Sequence, residues 1–306
     1  MDKIFQLICD LFPHYKVKKN YFYKKSFYFI FCIFRFFLKG PFILNFKDFK
    51  IIAFPQKYHY TSFLFTRGNL PDPTELNVIR KNIYKKKSLF IDCGVNFGSY
   101  SIPIAASNEN CEVFAFDASK LILNEFIKNL KINNFNNIVY KNVAIGEKSG
   151  KIFFSENAIR GKNNSSGSGY VITKINNFAT DFEIEMISLD DFFKNKNLNK
   201  YEIIFIKIDL EGYDINAIYG CKNIIVNNNP IILFEFSKMI LKNPLYKHEE
   251  FENFILSNNL EILDINKLPI NLEKLYQKIN QLDKHHETVG NYLLLDKKYR
   301  EKNLII

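Results

Sequence analysis

The residues of this sequence best suited to chemistry are acidic residues and glycines that end apolar runs. The turn at residues 92–98 reads DCGVNFG and follows the apolar run 89–91. Its glycines allow the backbone to pass close to a ligand. Asp117 ends the next apolar run, where a carboxylate can accept the hydrogens of both hydroxyls of a ribose. The turn and this acid together predict a cofactor that contains adenosine.

The glycine spacing of this turn differs from the dinucleotide fingerprint G-x-G-x-x-G. The fingerprint positions are Gly94, Asn96 and Ser99, so two of three glycines are missing, including the one that admits a pyrophosphate. S-adenosylmethionine has a ribose but no phosphate, and Asp92 suits the ammonium of its amino acid end. The turn therefore favours S-adenosylmethionine. A NAD-dependent sugar oxidoreductase or epimerase is one alternative, and a non-catalytic membrane-associated binding module is another.

A second group of charged residues follows the apolar run 203–206. Lys207, Asp209 and Glu211 alternate and so lie on one face of a strand. A continuously apolar run indicates a central strand covered on both sides, so charges at its end are expected at a site. A partly desolvated carboxylate can act as a general base. We assign that role to Asp209 or Glu211, with Lys207 as an orienting charge, and the nearby Glu235 leaves a role for a divalent metal open.

Alternating strand-like and helix-like segments must position these residues. The runs 89–91, 111–117 and 138–146 are apolar and strand-like, and each of the two intervening segments has the apolar spacing of a helix. This alternation predicts parallel strands with right-handed crossovers and ligands at the carboxyl ends of the strands. Asn142, in the third run, is a further cofactor-binding candidate. Earlier in the chain, 46–66 contains two β-rich runs that predict a strand pair.

The first 40 residues carry most of the excess charge. They hold eight basic and two acidic residues, against a net charge of +10 for the whole chain. Ten of the eighteen residues in 21–38 are aromatic, and the apolar part, 27–38, is too short to span a bilayer as a helix. We predict either peripheral membrane contact through residues 21–39 or packing against the main domain or a second copy. The domain boundaries predicted are 1–66 for this extension and 67–306 for the main domain.

Composition excludes several classes of protein. The chain has 306 residues, of which 47% are hydrophobic, so it can bury a core without disulfides. Its five cysteines form no C-x-x-C pair, which is typical of reduced thiols in a cytoplasmic protein, and its five histidines lack metal-ligand spacing. Outside the extension the charge is nearly balanced, which argues against a nucleic-acid partner.

Residues 67–237 resemble the FkbM family of methyltransferases. The segments that carry the resemblance are, in order, FIDCGVNFGSYSI, FAFDAS, NLKINN, VAIGEKSGKIFF, SLDDFF, FIKIDLEGYDINAIYG and PIILFEF. The resemblance implies an α/β, class I (Rossmann-like) methyltransferase fold: a mostly parallel seven-stranded sheet with helices on both faces and an antiparallel last strand. It also implies S-adenosylmethionine as the methyl donor and O-methylation of a sugar or glycan hydroxyl.

The family pattern carries over to particular residues. Asp92, Gly94, Asn96 and Gly98 match its cofactor loop. Asp117 stands at the position of the ribose-binding acid, where Glu followed by Pro is more usual. The resemblance places the last two strands at residues 261–266 and 291–296, with a helix between them.

The acceptor region is expected near residues 161–170, which read GKNNSSGSGY. This stretch is either a flexible hairpin loop or a lid over the acceptor, since loops both vary and carry function. In the second case Asn163, Asn164, Ser165 and Ser166 offer hydrogen bonds to sugar hydroxyls. Together with the basic aromatic N-terminus, this is compatible with a lipid-linked glycan at the inner face of a membrane.

Overall fold

The computed structural model describes residues 40–53, 70–156, 169–172, 181–282 and 288–301, together with five isolated positions, Lys3, Phe29, Ile33, Phe37 and Leu64. The strands are β1 (Phe42–Asn45), β2 (Lys50–Ala53), β3 (Ser88–Cys93), β4 (Cys111–Asp117), β5 (Ile138–Asn142), β6 (Ala144–Ile145), β7 (Gly150–Ser155), β8 (Tyr170–Ile172), β9 (Asp181–Ile187), β10 (Ile203–Ile208), β11 (Ile231–Ser237), β12 (Leu260–Asp264) and β13 (Thr288–Asp296). The helices are α1 (Pro73–Ile83), α2 (Ser101–Ser107), α3 (Lys120–Lys131), α4 (Leu189–Phe193), α5 (Asp214–Tyr219), α6 (Lys222–Asn228), α7 (Lys238–Lys242), α8 (His248–Ser257), α9 (Leu272–Asn280) and α10 (Lys297–Glu301).

The central sheet has seven strands in the order β12-β13-β11-β10-β3-β4-β5. Strands β3, β4, β5, β10 and β11 are parallel, whereas β13 runs antiparallel to both of its neighbours. The mostly parallel sheet predicted from the alternation of segments is therefore confirmed. The antiparallel last strand and the helix before it, α9, also lie where the resemblance placed them.

Helices cover both faces of this sheet because its inner strands are apolar on both sides. Along β10, Phe205 contributes to a core shared with Ile79 of α1 and Phe126 of α3. Its neighbour Ile206 points to the opposite core, which contains Phe251 of α8. A strand buried in this way has its polar groups only at its ends. Charged residues that follow β10 therefore lie at the carboxyl edge of the sheet.

A second, four-stranded sheet with the order β6-β9-β7-β8 is inserted between β5 and β10. In it β7 pairs antiparallel with β8 and β9, and β6 pairs parallel with β9. The prediction of one continuous third strand over 138–146 is therefore wrong in its extent. The chain leaves the central sheet after Asn142 and, beyond Val143, joins the small sheet as β6.

The N-terminal hairpin of β1 and β2 packs on the main core. Lys50 donates its N–H group to the side-chain oxygen of Asn133, in the turn after α3, and Ile52 donates to that of Asn129 on α3, each at 2.7 Å. Phe42 is buried in the same core as α1 and α3. The first of the two runs predicted in 46–66 contains β2, but its partner is β1, which precedes both runs. The second run falls outside the described residues, except for the buried Leu64.

Within the described ranges, no helix has both the length and the apolar character needed to cross a membrane. Most of residues 21–39 lie outside those ranges. Contact of this segment with a membrane or a second copy therefore stays a prediction.

Candidate functional site

The loop between β3 and α2 has the left-handed backbone that its glycines permit. The φ angles of Gly94, Asn96 and Gly98 are 85°, 53° and 96°. A Cβ on Gly94 would overlap the carbonyl oxygen of Asp209, and one on Gly98 would overlap the side chain of Phe126. The nearest neighbours of both glycines are thus atoms of the protein itself. The two glycines are therefore required because the loop packs closely on the chain after β10 and on α3. A ligand that approaches the loop would be a second reason for them.

Asp117 lies at the carboxyl end of β4, and its carboxylate is fixed by the backbone. One oxygen accepts the N–H of Asn96 at 3.0 Å and the other accepts the N–H of Ser119 at 2.9 Å. Burial raises the pKa of Asp117 to about 6, although these two N–H groups partly offset the rise. The side-chain amide of Asn142 donates to the carbonyls of Asp117 and Ala118 at 2.8 and 3.0 Å. Asn142 therefore holds the loop that carries Asp117.

A buried ion-pair network lies beneath the glycine loop. Asp92 accepts a hydrogen bond from the Ser101 hydroxyl at 2.6 Å, and its other oxygen lies 3.6 Å from Lys207 Nζ. Lys207 Nζ also lies 3.3 Å from Asp209 and donates to the Gly94 carbonyl at 3.1 Å. Burial by itself would lower the pKa of Lys207, but Asp209 and Asp92 outweigh it and raise that pKa above its ordinary value. The lysine is therefore charged and ties β3 and β10 to the loop.

Two residues of this network were not singled out from the sequence. Lys207 Nζ lies 5.0 Å from the ring centre of Tyr100, and the Tyr100 hydroxyl donates to Asp72 at 3.2 Å. Burial, followed by the negative charges of Glu75 and Asp209, raises the pKa of Asp72 to about 6. Asp72 directly precedes α1, so a helix start is the only sequence signal that it carries.

Two cavities open beside the ends of β4 and β10. The smaller, of about 70 Å³, is lined by the glycine loop, the end of β4, the chain that follows β5 and the chain that follows β10, with Gly94, Asn96, Asp117, Ala118 and Val143 among its residues. The larger, of about 420 Å³, lies between the small sheet and the loops after β10 and β11, with Lys151, Phe153, Tyr170, Glu183, Lys242 and Leu245 among its residues. Three residues line both cavities: Val171, Glu211 and Tyr213. These three form the boundary between the two spaces.

The three charged residues predicted after β10 occupy different environments. Glu211 has a left-handed backbone with φ of 51° and lines both cavities. Asp209 lines the smaller cavity, and 41% of its side chain is exposed. Lys207 is buried behind Asp209 and lines neither cavity. The prediction that the three share one face of a strand is therefore wrong, because β10 ends at Ile208 and the chain turns at Glu211. Only Lys207 lies in the strand, Asp209 and Glu211 lie in the loop after it, and of the three only Glu211 lies at the boundary.

Further carboxyl groups lie at this edge. Burial, then the charges of Asp209, Asp214 and Glu211, raise the pKa of Glu235 at the end of β11 to about 9. Asp214 is fully buried at the start of α5 and accepts the N–H of Gly212 at 3.1 Å. Its pKa is also raised well above the ordinary value, chiefly by burial. Raised pKa values favour the protonated, uncharged form of both groups, and a positively charged ligand beside them would favour their ionised form.

The structure describes only residues 169 and 170 of the segment 161–170, where the sequence predicts the acceptor region. Gly169 and Tyr170 line the smaller and the larger cavity respectively. Asn163, Asn164, Ser165 and Ser166 lie outside the described residues. Their contact with an acceptor stays a prediction.

The fold and the site define an α/β protein with a binding region at the carboxyl edge of a mostly parallel sheet. The sequence matches the methyltransferase FkbM domain over residues 92–286, which include both cavity walls. The chain belongs to the FkbM methyltransferase family. This confirms the family identified from the motifs of the sequence.

Solved structures of methyltransferases resemble the chain at low identity. The crystal structure of methyltransferase FkbM from Methylobacillus flagellatus is 17% identical, with 68% of this chain and 44% of that chain covered and a TM-score of 0.40. An O-methyltransferase from Bacillus cereus in complex with SAH is 9% identical, with 97% and 100% covered and a TM-score of 0.41. TYW2 from M. jannaschii, in complex with AdoMet, is 10% identical, with 83% and 85% covered and a TM-score of 0.38. No curated protein matches the chain.

Proposed function

We propose that this protein is an S-adenosylmethionine-dependent O-methyltransferase that acts on a hydroxyl group of a sugar or glycan. The observation that carries the proposal is the position of Glu211. This carboxylate lines both the cavity at the cofactor loop and the larger cavity beside it. A general base must reach the hydroxyl proton while the oxygen faces the methyl donor. A residue on the boundary between two binding spaces meets that requirement.

The residues of the loop fit the proposed cofactor better than a dinucleotide. The side-chain oxygen of Asn96 accepts the N–H of Phe97 at 2.8 Å, so this backbone donor is already engaged where a pyrophosphate would need it. One buried oxygen of Asp92 receives no hydrogen bond from the described residues. That oxygen is fully buried, lies 3.6 Å from Lys207 Nζ and lines neither cavity, so Asp92 can meet the ammonium group of the cofactor only after the loop above it opens. Asp117 supplies the acid for the ribose hydroxyls.

The smaller cavity must widen to admit a whole nucleoside. Its volume of about 70 Å³ is below the roughly 300–1,000 Å³ of ligand sites. Part of its wall is the cofactor loop, the end of β4 and the chain after β10, which are held on the central sheet. The remainder comes from the small sheet, its flank and the chain that enters it, namely Val143, Ala144, Ile145, Phe154, Gly169 and Val171. We infer that this wall moves outward when the cofactor binds.

The chain contributes alignment and proton transfer. When bound, S-adenosylmethionine would be held by the cofactor loop and Asp117 and would supply an electrophilic methyl group for the acceptor oxygen. Glu211 accepts the proton of the attacking hydroxyl. Asp209 and Lys207 hold the chain after β10 against Gly94, and this fixes the distance between the two cavities. Alignment of this kind supplies much of the rate in a displacement reaction.

Ligand titration tests the cofactor assignment. We expect S-adenosylmethionine and S-adenosylhomocysteine, but not NAD, to give saturable heats in a calorimetric titration of the full chain. Asp117→Ala is expected to remove binding of both S-adenosyl compounds. Binding of NAD alone would overturn the proposal in favour of the oxidoreductase alternative.

Substitution of Glu211 tests its role as the base. In transfer of radiolabelled methyl from S-adenosylmethionine to a panel of methyl glycosides, Glu211→Gln is expected to lower kcat by about 10²–10⁴-fold. Its Kd for S-adenosylhomocysteine should stay within about threefold of the wild-type value. Asp209→Asn is the matched control, because its carboxylate lines only the smaller cavity and is expected to affect cofactor binding as well. Equal loss of binding and turnover in Glu211→Gln would contradict the assignment.

A further inference from the structure

We propose that the larger cavity is the acceptor site and that it selects an uncharged pyranose ring over a phosphorylated or carboxylated one. The proposal rests on the proposed methyl transfer, because it names the substrate of that same site. None of the residues assigned to the cofactor lines this larger cavity. Its walls come from the small sheet on one side and from the chain after β10 and β11 on the other.

The charges on the cavity wall are balanced. Among the described lining residues there are two lysines, Lys151 and Lys242, and two glutamates, Glu183 and Glu211. Lys151 Nζ lies 2.7 Å from a carboxylate oxygen of Glu183, so the charge of each is compensated within the wall. Such a pair still presents hydrogen-bond donors and acceptors to a ligand. It therefore matches hydroxyl groups, which both donate and accept.

A phosphate or carboxylate on the acceptor would meet this wall unfavourably. A phosphate group carries close to two negative charges and is recognised by clustered cations or by backbone N–H groups. Here a phosphate near Lys151 would compete with Glu183 for the lysine. One near Lys242 would share the cavity with Glu211, whose own charge repels it. Like charges placed together reduce the affinity for such ligands.

The rest of the wall is apolar and aromatic. Phe153, Tyr170, Ile172 and Leu245 line it together with the boundary residue Tyr213. The volume of about 420 Å³ lies within the range of small-molecule sites, which combine apolar walls with a few orienting polar groups. The carbon-bound hydrogens of a pyranose can pack on the aromatic side chains while its hydroxyls reach the charged ones. A saturated hydrocarbon chain could pack on the apolar side chains but would offer no hydrogen bonds to the charged ones.

Saturation-transfer NMR with the full chain tests this inference. The protein is first loaded with S-adenosylhomocysteine, and binding is confirmed by calorimetry. Methyl pyranosides of glucose, galactose, mannose and rhamnose are then compared with glucose 6-phosphate and methyl glucuronide. We expect at least one neutral glycoside to bind, with a Kd at least fivefold lower than that of either anionic sugar.

Two variants locate the binding. Ile172→Trp fills the cavity and is expected to remove the sugar signals while the Kd for S-adenosylhomocysteine is retained. Tyr170→Ala, which removes an aromatic surface without filling the space, is expected to weaken sugar binding at least threefold. Val226→Trp is the matched control, because Val226 is exposed on α6 and lines neither cavity, and it should change neither ligand.

The outcomes separate this inference from the proposed function. Tighter binding of the anionic sugars, no binding of any glycoside to the loaded protein, or sugar binding unaffected by Ile172→Trp would each overturn the acceptor assignment while cofactor binding stands. Failure of S-adenosylhomocysteine to bind would instead overturn the proposed methyltransferase chemistry on which the inference rests.

Discussion

The raised pKa of Asp117 predicts that cofactor affinity increases between pH 5 and pH 7. Burial raises that pKa to about 6, against the effect of two backbone N–H groups and of Lys207, and Asp92 adds to the rise. Only the ionised carboxylate offers acceptors to both hydroxyls of a ribose. The protein that is competent to bind is therefore the fraction in which Asp117 is ionised. That fraction grows as the pH passes through 6.

The size of the effect follows from the pKa. With a pKa of about 6, roughly one tenth of the molecules are ionised at Asp117 at pH 5 and roughly nine tenths at pH 7. Since the apparent Kd is the intrinsic Kd divided by the competent fraction, it should fall about tenfold over this range. The stability of the free protein changes in the opposite direction. The raised pKa favours the folded state at low pH, and this contribution, about 3 kcal/mol for a rise from 3.8 to about 6, is lost as the pH rises from 3.8 through about 6.

Calorimetric titration with S-adenosylhomocysteine at pH 5, 6 and 7 measures the change. Asp117→Asn cannot titrate, so it should bind more weakly with a nearly flat profile. Asp72→Asn is the matched control, because burial also raises the pKa of Asp72 to about 6 but that residue lines neither cavity. It should keep the pH dependence of the wild type. A flat wild-type profile, or a profile flattened by Asp72→Asn alone, would refute the reasoning.

Two further substitutions test how the loop and the hairpin are held. Gly94→Ala places a methyl group against the Asp209 carbonyl at a φ of 85° and should cost about 2–4 kcal/mol in chemical denaturation, with cofactor binding lost; an unchanged midpoint would contradict this packing. Asn129 accepts the N–H of Ile52 and donates to the Phe97 carbonyl at 2.9 Å, so Asn129→Ala should lower the free energy of unfolding by about 1–3 kcal/mol. Wild-type stability of that variant would show that the hairpin is held by apolar contacts alone.

The central sheet could be predicted because its signals are local in the sequence. Runs such as 89–91 and 203–206 are continuously apolar, which is the pattern typical of a parallel strand buried on both faces. Acids and glycines that interrupt such runs must lie at the carboxyl edge, since the strands are parallel. Asp92, Asp117 and Asp209 could therefore be assigned to one region from their positions at the ends of strands. The structure places them there.

The small sheet could not be predicted because it depends on pairing between distant segments. Two of its strands, β6 and β8, have only two and three residues, and β7 and β9 are partly exposed. In the run 138–146, Lys141 and Asn142 precede the change of sheets at Val143, but polar residues of this kind are equally typical of one continuous, partly exposed strand. Asp72 was not predicted as part of the site for a related reason. Its partner Tyr100 is 28 residues away, and nothing local marks either residue as part of a network around Lys207.

The carboxyl edge of the sheet combines two parts, the central sheet and the inserted small sheet, and we expect them to have different roles. Residues on the central sheet, such as Asp117 and Lys207, are fixed by a scaffold packed on both faces, which suits the recognition of one constant cofactor. About half of the wall of the larger cavity comes from the inserted small sheet, whose strands contribute little to the main cores. Under the proposed function, changes in that sheet would alter the acceptor without disturbing the cofactor residues. Glu211 follows β10 and lines the cavity that the insertion closes, so the proposed base would be the same for acceptors that differ.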